Sequence, residues 1–142
     1  MKKDKRLVGI DYGEARIGLS TAMENSMVAM TGKTVQATKD PQKNAQAVIA
    51  ALTDYDVLRF VIGLPTHMDG RESPMSEKVR LFAKTLEEET NIPCDLWDER
   101  LSSKQVESLM REGGAKRKKR AEKTDCLSAT LILQSYLESK LI

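Results

Sequence analysis

Short apolar runs alternate with longer amphipathic stretches along this chain, and the change of period marks out its elements. Residues 7–10 are Leu-Val-Gly-Ile, a compact apolar run that reads as a buried strand, and it ends on Asp11. Gly13 follows at once, where a turn calls for a residue tolerant of positive φ. Arg16-Ile17-Gly18-Leu19-Ser20 reads as a second strand returning along the first. The two make a hairpin that holds one aspartate at the carboxyl end of a central strand. Residues 27–30 and 33–37 give a third extended stretch, interrupted near Thr31-Gly32.

The period then changes. Asp40-Pro41 has the form of a helix start, with Asp as N-cap and Pro in the first turn, and Ala45, Val48, Ile49 and Leu52 follow at helical spacing. Residues 59–64 read as a fully buried strand ended by Pro65. Thr66 to Arg71 is a polar loop with a turn signal at Asp69-Gly70. Ser73-Pro74 opens a second helix carrying Val79, Phe82, Ala83 and Leu86, and residues 93–100 read as another strand that finishes on carboxylates. Ser102 with Gln105 fits a capping box. Val106, Leu109 and Met110 form the stripe of a short helix ended by Gly113-Gly114, and a basic run follows as a loop. Residues 124–140 read as a last helix, apolar nearly all round and therefore buried.

Three strands joined by tight turns, then strand and helix in alternation, predict an α/β fold. Its sheet is mixed and five-stranded, three antiparallel strands then two parallel, flanked by helices with right-handed crossovers. No repeat or linker divides the chain, so residues 1–142 are expected to form one domain.

Composition removes several function classes. The chain is 40% hydrophobic and 31% charged, ordinary for a globular protein. No run approaches the roughly 18 apolar residues of a membrane span. The apolar run after the basic N-terminus also falls short of the roughly 7–15 residues of a signal peptide, so a cytoplasmic protein without membrane contact is expected. Cys94 and Cys126 lack metal-ligand spacing, and His67 is the single histidine. Zinc sites and Ser-His-Asp systems are therefore poorly supported. The net charge is only +2, yet residues 111–123 hold seven Lys or Arg against two Glu, a local +5 that leaves −3 for the rest. Such clustering is the footprint of a polyanionic partner.

Acids fall at three element ends: Asp11, the pair Asp98-Glu99, and Asp125 in the first turn of the last helix, where the dipole favours negative charge. The first two lie at carboxyl ends of strands expected to be parallel, where open α/β sheets build their sites. If the three meet, mutual repulsion demands a cation, and hard oxygen donors suit Mg²⁺ or Mn²⁺. The fitting chemistry is phosphodiester hydrolysis, with the basic run holding the polyanion. If they never meet, they are exposed acids. Arg16 and Arg100 could each steady a phosphate or pair with neighbouring acids. His67 reads as a loop residue and Trp97 as core.

Four motifs bring in a resemblance. They are Gly9-Ile10-Asp11-Tyr12-Gly13 with Arg16-Ile17-Gly18; Val61-Ile62-Gly63-Leu64-Pro65 with Met68-Asp69-Gly70; Leu96-Trp97-Asp98-Glu99-Arg100-Leu101; and Lys118-Lys119 through Asp125 to Ile132-Leu133-Gln134-Ser135-Tyr136-Leu137. In these the chain resembles the YqgF/RuvX family of bacterial ribonuclease H-like proteins, related in fold to the RuvC resolvases, over almost its whole length. Ser102-Ser103 stand where that family usually has two threonines, which keeps a hydroxyl cap. The stretch Thr21-Ala22-Met23-Glu24-Asn25 lacks the usual Ser-Asp, so Glu24 is given no role.

The resemblance implies a ribonuclease H-like fold and a nuclease acting in 5′-end maturation of pre-16S ribosomal RNA. The alternative it carries is a Holliday junction resolvase acting on branched DNA. By motif position, Asp11, Glu99 or Asp98, and Asp125 match the acidic site. Lys116, Arg117, Lys118, Lys119 and Arg120, with Arg16 and Arg100, are the candidate nucleic-acid contacts, and the ribosomal small subunit is a candidate partner. Two other classes stay open. The actin, Hsp70 and sugar-kinase ATPases share the Asp-x-Gly hairpin but need a second domain, and a ribosome-assembly module would carry non-catalytic acids. With no surplus apolar helix stripe for an interface, a monomer or weak homodimer is expected.

Overall fold

The computed structural model describes residues 3–65, 73–98 and 117–139, with residues 117–125 defined as backbone only. Strands β1 (Asp4–Tyr12), β2 (Arg16–Met23) and β3 (Met30–Gln36) come first, then helix α1 (Pro41–Ala51). Strand β4 (Tyr55–Leu64), helix α2 (Pro74–Thr90), strand β5 (Cys94–Asp98) and helix α3 (Arg117–Ser139) complete the chain. The sheet order is β3-β2-β1-β4-β5, with β1·β2 and β2·β3 antiparallel and β1·β4 and β4·β5 parallel. This is the mixed sheet the element order predicts, with β1 at its centre.

Period-two alternation sends the strands' side chains to two different helix layers. Val8, Ile10, Ile17, Leu19, Phe60 and Ile62 pack beneath α1 and α2 with Val48, Val79, Phe82 and Leu86. Ala22 and Val61 face the other way, against Ile132, Leu133, Tyr136 and Leu137 of α3. The Asp40 cap is real, its Oδ1 accepting from the Gln42 N–H at 2.9 Å. Buried Asn44 ties the β3–α1 turn to β1. Its Nδ2 donates to Tyr12 Oη at 2.7 Å, and its Oδ1 accepts from the Thr38 N–H at 2.7 Å.

Several expectations are corrected. Gly13 is not left-handed. Glycine is required there by proximity, since a Cβ would lie 2.5 Å from the Arg16 carbonyl oxygen. The third strand begins at Met30 and runs unbroken past Gly32. The apparent interruption is a register shift, Gly18 pairing with Thr34 but Ser20 with Thr31, so two β3 residues stand opposite Leu19.

The basic run is not a loop at residues 117–120, because α3 already starts at Arg117. Asp125 therefore lies more than two turns inside the helix, and the dipole argument for it fails. Nor is that helix apolar all round: Ala129, Ile132, Leu133 and Leu137 are buried, whereas Ser135 and Glu138 face solvent. A count of helix stripes also overlooks apolar surface on strands and turns. Met23, Met27, Val28 and Met30 are exposed around the β2–β3 turn. The polar loop with His67, the capping box at Ser102 and the short helix after it lie outside the described residues.

Candidate active site at the carboxyl edge of the sheet

Asp11 is the second-last residue of β1, half-buried, and directly opposite Gly18 of β2. Its orientation follows from Gly9, two residues earlier. A Cβ on Gly9 would sit 2.8 Å from both the Ala129 carbonyl oxygen and Leu133 Cβ, so this parity of β1 faces α3. Ile10 pairs with Ile62, which sets Asp11 level with Gly63 of β4, and Gly63 pairs with Trp97 of β5. Gly18 pairs with Thr34 of β3 on the other side. One transverse row on the α3 face thus reads Thr34, Gly18, Asp11, Gly63, Trp97. The half-buried carboxylate stands between two positions with no side chain, which lets another backbone approach closely on either side.

Helix α3 crosses above this row. Cys126 Sγ lies 3.0 Å from Thr34 Oγ1, so the helix meets this row over β3, two strands from Asp11. Residues 117–124 make up the preceding part of the helix, roughly 12 Å at 1.5 Å per residue. Further along, the Ser20 hydroxyl donates to the Ala129 carbonyl at 2.7 Å and seats the helix on β2. Its far end is anchored to β5. Trp97 Nε1 donates to Ser135 Oγ at 3.1 Å and packs edge-on against Tyr136 at 5.5 Å between centroids. The Tyr136 hydroxyl donates to Asp95 at 2.8 Å, and Asp95 also accepts from Arg59 at 2.9 Å. Burial, with Asp95 beside it, raises the Tyr136 pKa and keeps the hydroxyl a donor.

Asp98 ends β5 and is exposed, paired with Leu64. It shares parity with Leu96, which packs in the α1–α2 layer, whereas Trp97 packs on α3. Asp98 is therefore on the face opposite Asp11. Arg16 opens β2 at the same sheet edge, paired with Gln36. Asp125, Arg117, Lys118, Lys119 and Arg120 lie on the α3 backbone, while Glu99, Arg100 and Lys116 fall outside the described residues. Among the described residues no group of three His, Cys, Asp or Glu could hold a metal ion. Burial, then Glu87 and Asp95, pushes the Cys94 thiol up to about 12, so it is not a nucleophile at neutral pH. Also among the described residues, no helix is long and apolar enough to cross a membrane.

Trp97 proves more than core, because it tethers α3 as well as packing. The glycines beside Asp11 are positions that a run-by-run reading passes over. Gly9, Gly18 and Gly63 interrupt otherwise apolar strands, and that is the signal that could have found them.

A half-buried carboxylate between two glycines near the carboxyl edge of a mixed sheet, on the face that α3 covers, marks the candidate site of a nuclease. The family model described as "RuvX: Holliday junction resolvase" matches residues 5–139, and this chain belongs to that family. A relative in Protochlamydia amoebophila named "Putative pre-16S rRNA nuclease" is 38% identical over 144 residues, covering 97% of this chain and 96% of its own. One of the same name in Syntrophus aciditrophicus is 41% identical over 135 residues, covering 94% and 89%. Among solved structures, T. thermophilus RuvC in complex with Holliday junction substrate matches with a TM-score of 0.57 at 16% identity, covering 96% of each chain. That likeness establishes the shared fold. The protein is a nuclease, a hydrolase acting on ester bonds, and the ATPase alternative falls away.

Proposed function

We propose that this single-domain chain is a metal-dependent nuclease that matures the 5′ end of pre-16S rRNA in the cytoplasm. The observation that carries the reading is Asp11 between Gly18 and Gly63, on the sheet face covered by α3, a helix whose first turns are basic. Asp11, Glu99 and Asp125 are the proposed ligands of Mg²⁺ or Mn²⁺, whose preference for hard oxygen donors matches this set. Asp98, the alternative at this motif, shares the parity of Leu96 on the face opposite Asp11, so Glu99 is the one proposed. When bound, such ions supply an activated water and charge stabilisation of the leaving oxygen. The chain's own residues do the rest. The glycine flanks admit the phosphodiester to Asp11, and Arg16 and Arg100 steady the phosphate. Lys116, Arg117, Lys118, Lys119 and Arg120 hold the strand beyond the edge.

The test is cleavage of a pre-rRNA 5′ leader beside a four-way DNA junction, with Mg²⁺ or Mn²⁺. Trimming of the leader supports the reading, and binding without cleavage of either would mean an assembly module. The family description favours one second reading, a junction resolvase. Symmetric cutting of two strands needs two sites about a two-fold axis, hence a stable dimer. A monomer or weak dimer is expected in sedimentation at micromolar concentration. A tight dimer giving paired, symmetric nicks and no leader trimming would reverse the choice.

Alanine at Lys116, Arg117, Lys118, Lys119 and Arg120 together is expected to weaken binding to all sequences alike. The slope of log affinity against log salt should flatten by about 0.9 for each phosphate no longer held on duplex, and about 0.7 on single strands. An unchanged slope would make the run a solvated helix end.

A further inference from the structure

The hairpin tip separates two surfaces. Asp11 faces α3, and the next residue, Tyr12, opens on the α1–α2 side into a groove of about 490 Å³. That volume is in the range of small-molecule sites and suits one nucleotide. Tyr12, Ala15, Pro41 and Leu81 form its apolar walls. The walls are set firmly: Tyr12 stacks on Phe82 at 4.3 Å, and its hydroxyl accepts from fully buried Asn44. Leu81 is 54% exposed, although α2 already seats Val79, Phe82 and Leu86 in the core. It therefore keeps more than half of its surface open to solvent.

Charge is arranged along the same groove. Lys39 and Lys78 both line it, with Glu14 hydrogen-bonded to Lys78. The Lys78 ammonium, and more weakly Lys39, holds the Glu14 carboxyl below its ordinary value, so it stays ionised as their counterion. Both partners of that pair are well exposed, at 59% and 69%, so water and other anions compete for it.

We propose that this groove takes one nucleotide of a single-stranded stretch of the substrate, base against Leu81 and Pro41, flanking phosphates on Lys39 and Lys78. Glu14 gives up Lys78 as the strand enters. The assignment rests on the nuclease reading, and it extends the substrate path from the basic start of α3, past Asp11, to the far side of the hairpin. Apolar walls accept any base face, so binding here is sequence-tolerant, as in other single-strand channels.

The experiment is fluorescence anisotropy of the full chain with a labelled single-stranded RNA, and with the same sequence as duplex, in EDTA. Leu81→Asp should weaken single-strand binding on the order of tenfold, as removing the surface beneath a base does. Lys39→Gln with Lys78→Gln should flatten the single-strand salt slope by about 1.4, two phosphates at about 0.7 each. Glu14→Gln should tighten binding, because a competing carboxylate is gone. Melting curves verify that each variant is folded, and Leu81, Lys39, Lys78 and Glu14 are all at the surface. Unchanged single-strand affinity in Leu81→Asp would overturn the proposal. So would equal weakening on duplex, weaker binding in Glu14→Gln, or competition by a free nucleoside monophosphate as effective as by the oligonucleotide. No ion or turnover enters this measurement, so it fails independently of the proposed metal ligands and of the choice of RNA leader over junction.

Discussion

Asp11→Asn is expected to reduce cleavage on the order of a thousandfold while leaving fold and nucleic-acid affinity near the wild type. The substitution keeps the shape of the side chain and removes its charge. Metal assistance supplies several kcal/mol of transition-state stabilisation, and each 1.36 kcal/mol is about tenfold in rate. Asp11 sits on the central strand, hydrogen-bonded on both sides to β2 and β4, so the backbone that carries it does not depend on the carboxylate. Affinity should survive because the basic end of α3 is untouched. Cleavage at varied Mn²⁺ concentration, beside anisotropy in EDTA, separates the two. A folded Asp11→Asn protein that cuts normally would remove Asp11 from the reaction, and with it the proposed ligand set.

The second large effect is on stability. Gly9→Ala puts a methyl group where the structure has no room: hard against Ser20 Oγ, and 2.8 Å from both the Ala129 carbonyl oxygen and Leu133 Cβ. Two of these neighbours belong to α3, and one is backbone that no rotamer change can move. The helix must lift from β1, and the 2.7 Å hydrogen bond from Ser20 to Ala129 is the first to break. Overpacking of this kind costs about 1–3 kcal/mol, and a buried carbonyl left without its donor about 1–3 more. A loss of about 2–6 kcal/mol in urea unfolding is expected from these two effects together. Cleavage should fall as well, since α3 carries Asp125, one of the proposed metal ligands. A wild-type urea midpoint would mean that the helix and sheet have slack at this crossing.

Much of this is legible in the sequence. The strand–hairpin–strand opening, the Asp40 and Ser73 helix starts, the stripes Ala45, Val48, Leu52 and Val79, Phe82, Leu86, and the mixed sheet all follow from local pattern. Each rests on interactions between near neighbours: a cap two residues away, a stripe at three and four, a run ending on Asp11. Asp11 and Asp98 can be named for the same reason, since they stand at strand ends.

What cannot be read locally is decided by tertiary packing. Pattern alone starts the last helix at Thr124, because a basic run looks like a loop; the structure begins it at Arg117. Gly13 and Gly32 read as conformational punctuation, but Gly13 is small because Arg16 approaches, and Gly32 because the Leu19 carbonyl lies 2.8 Å from any Cβ. Sheet register then puts Gly18 and Gly63 on either side of Asp11, and strand parity puts Asp98 on the wrong face. None of this is encoded by neighbours in the chain. It comes from hydrogen-bond register between strands tens of residues apart, and from one helix crossing the sheet where Gly9 lets it approach.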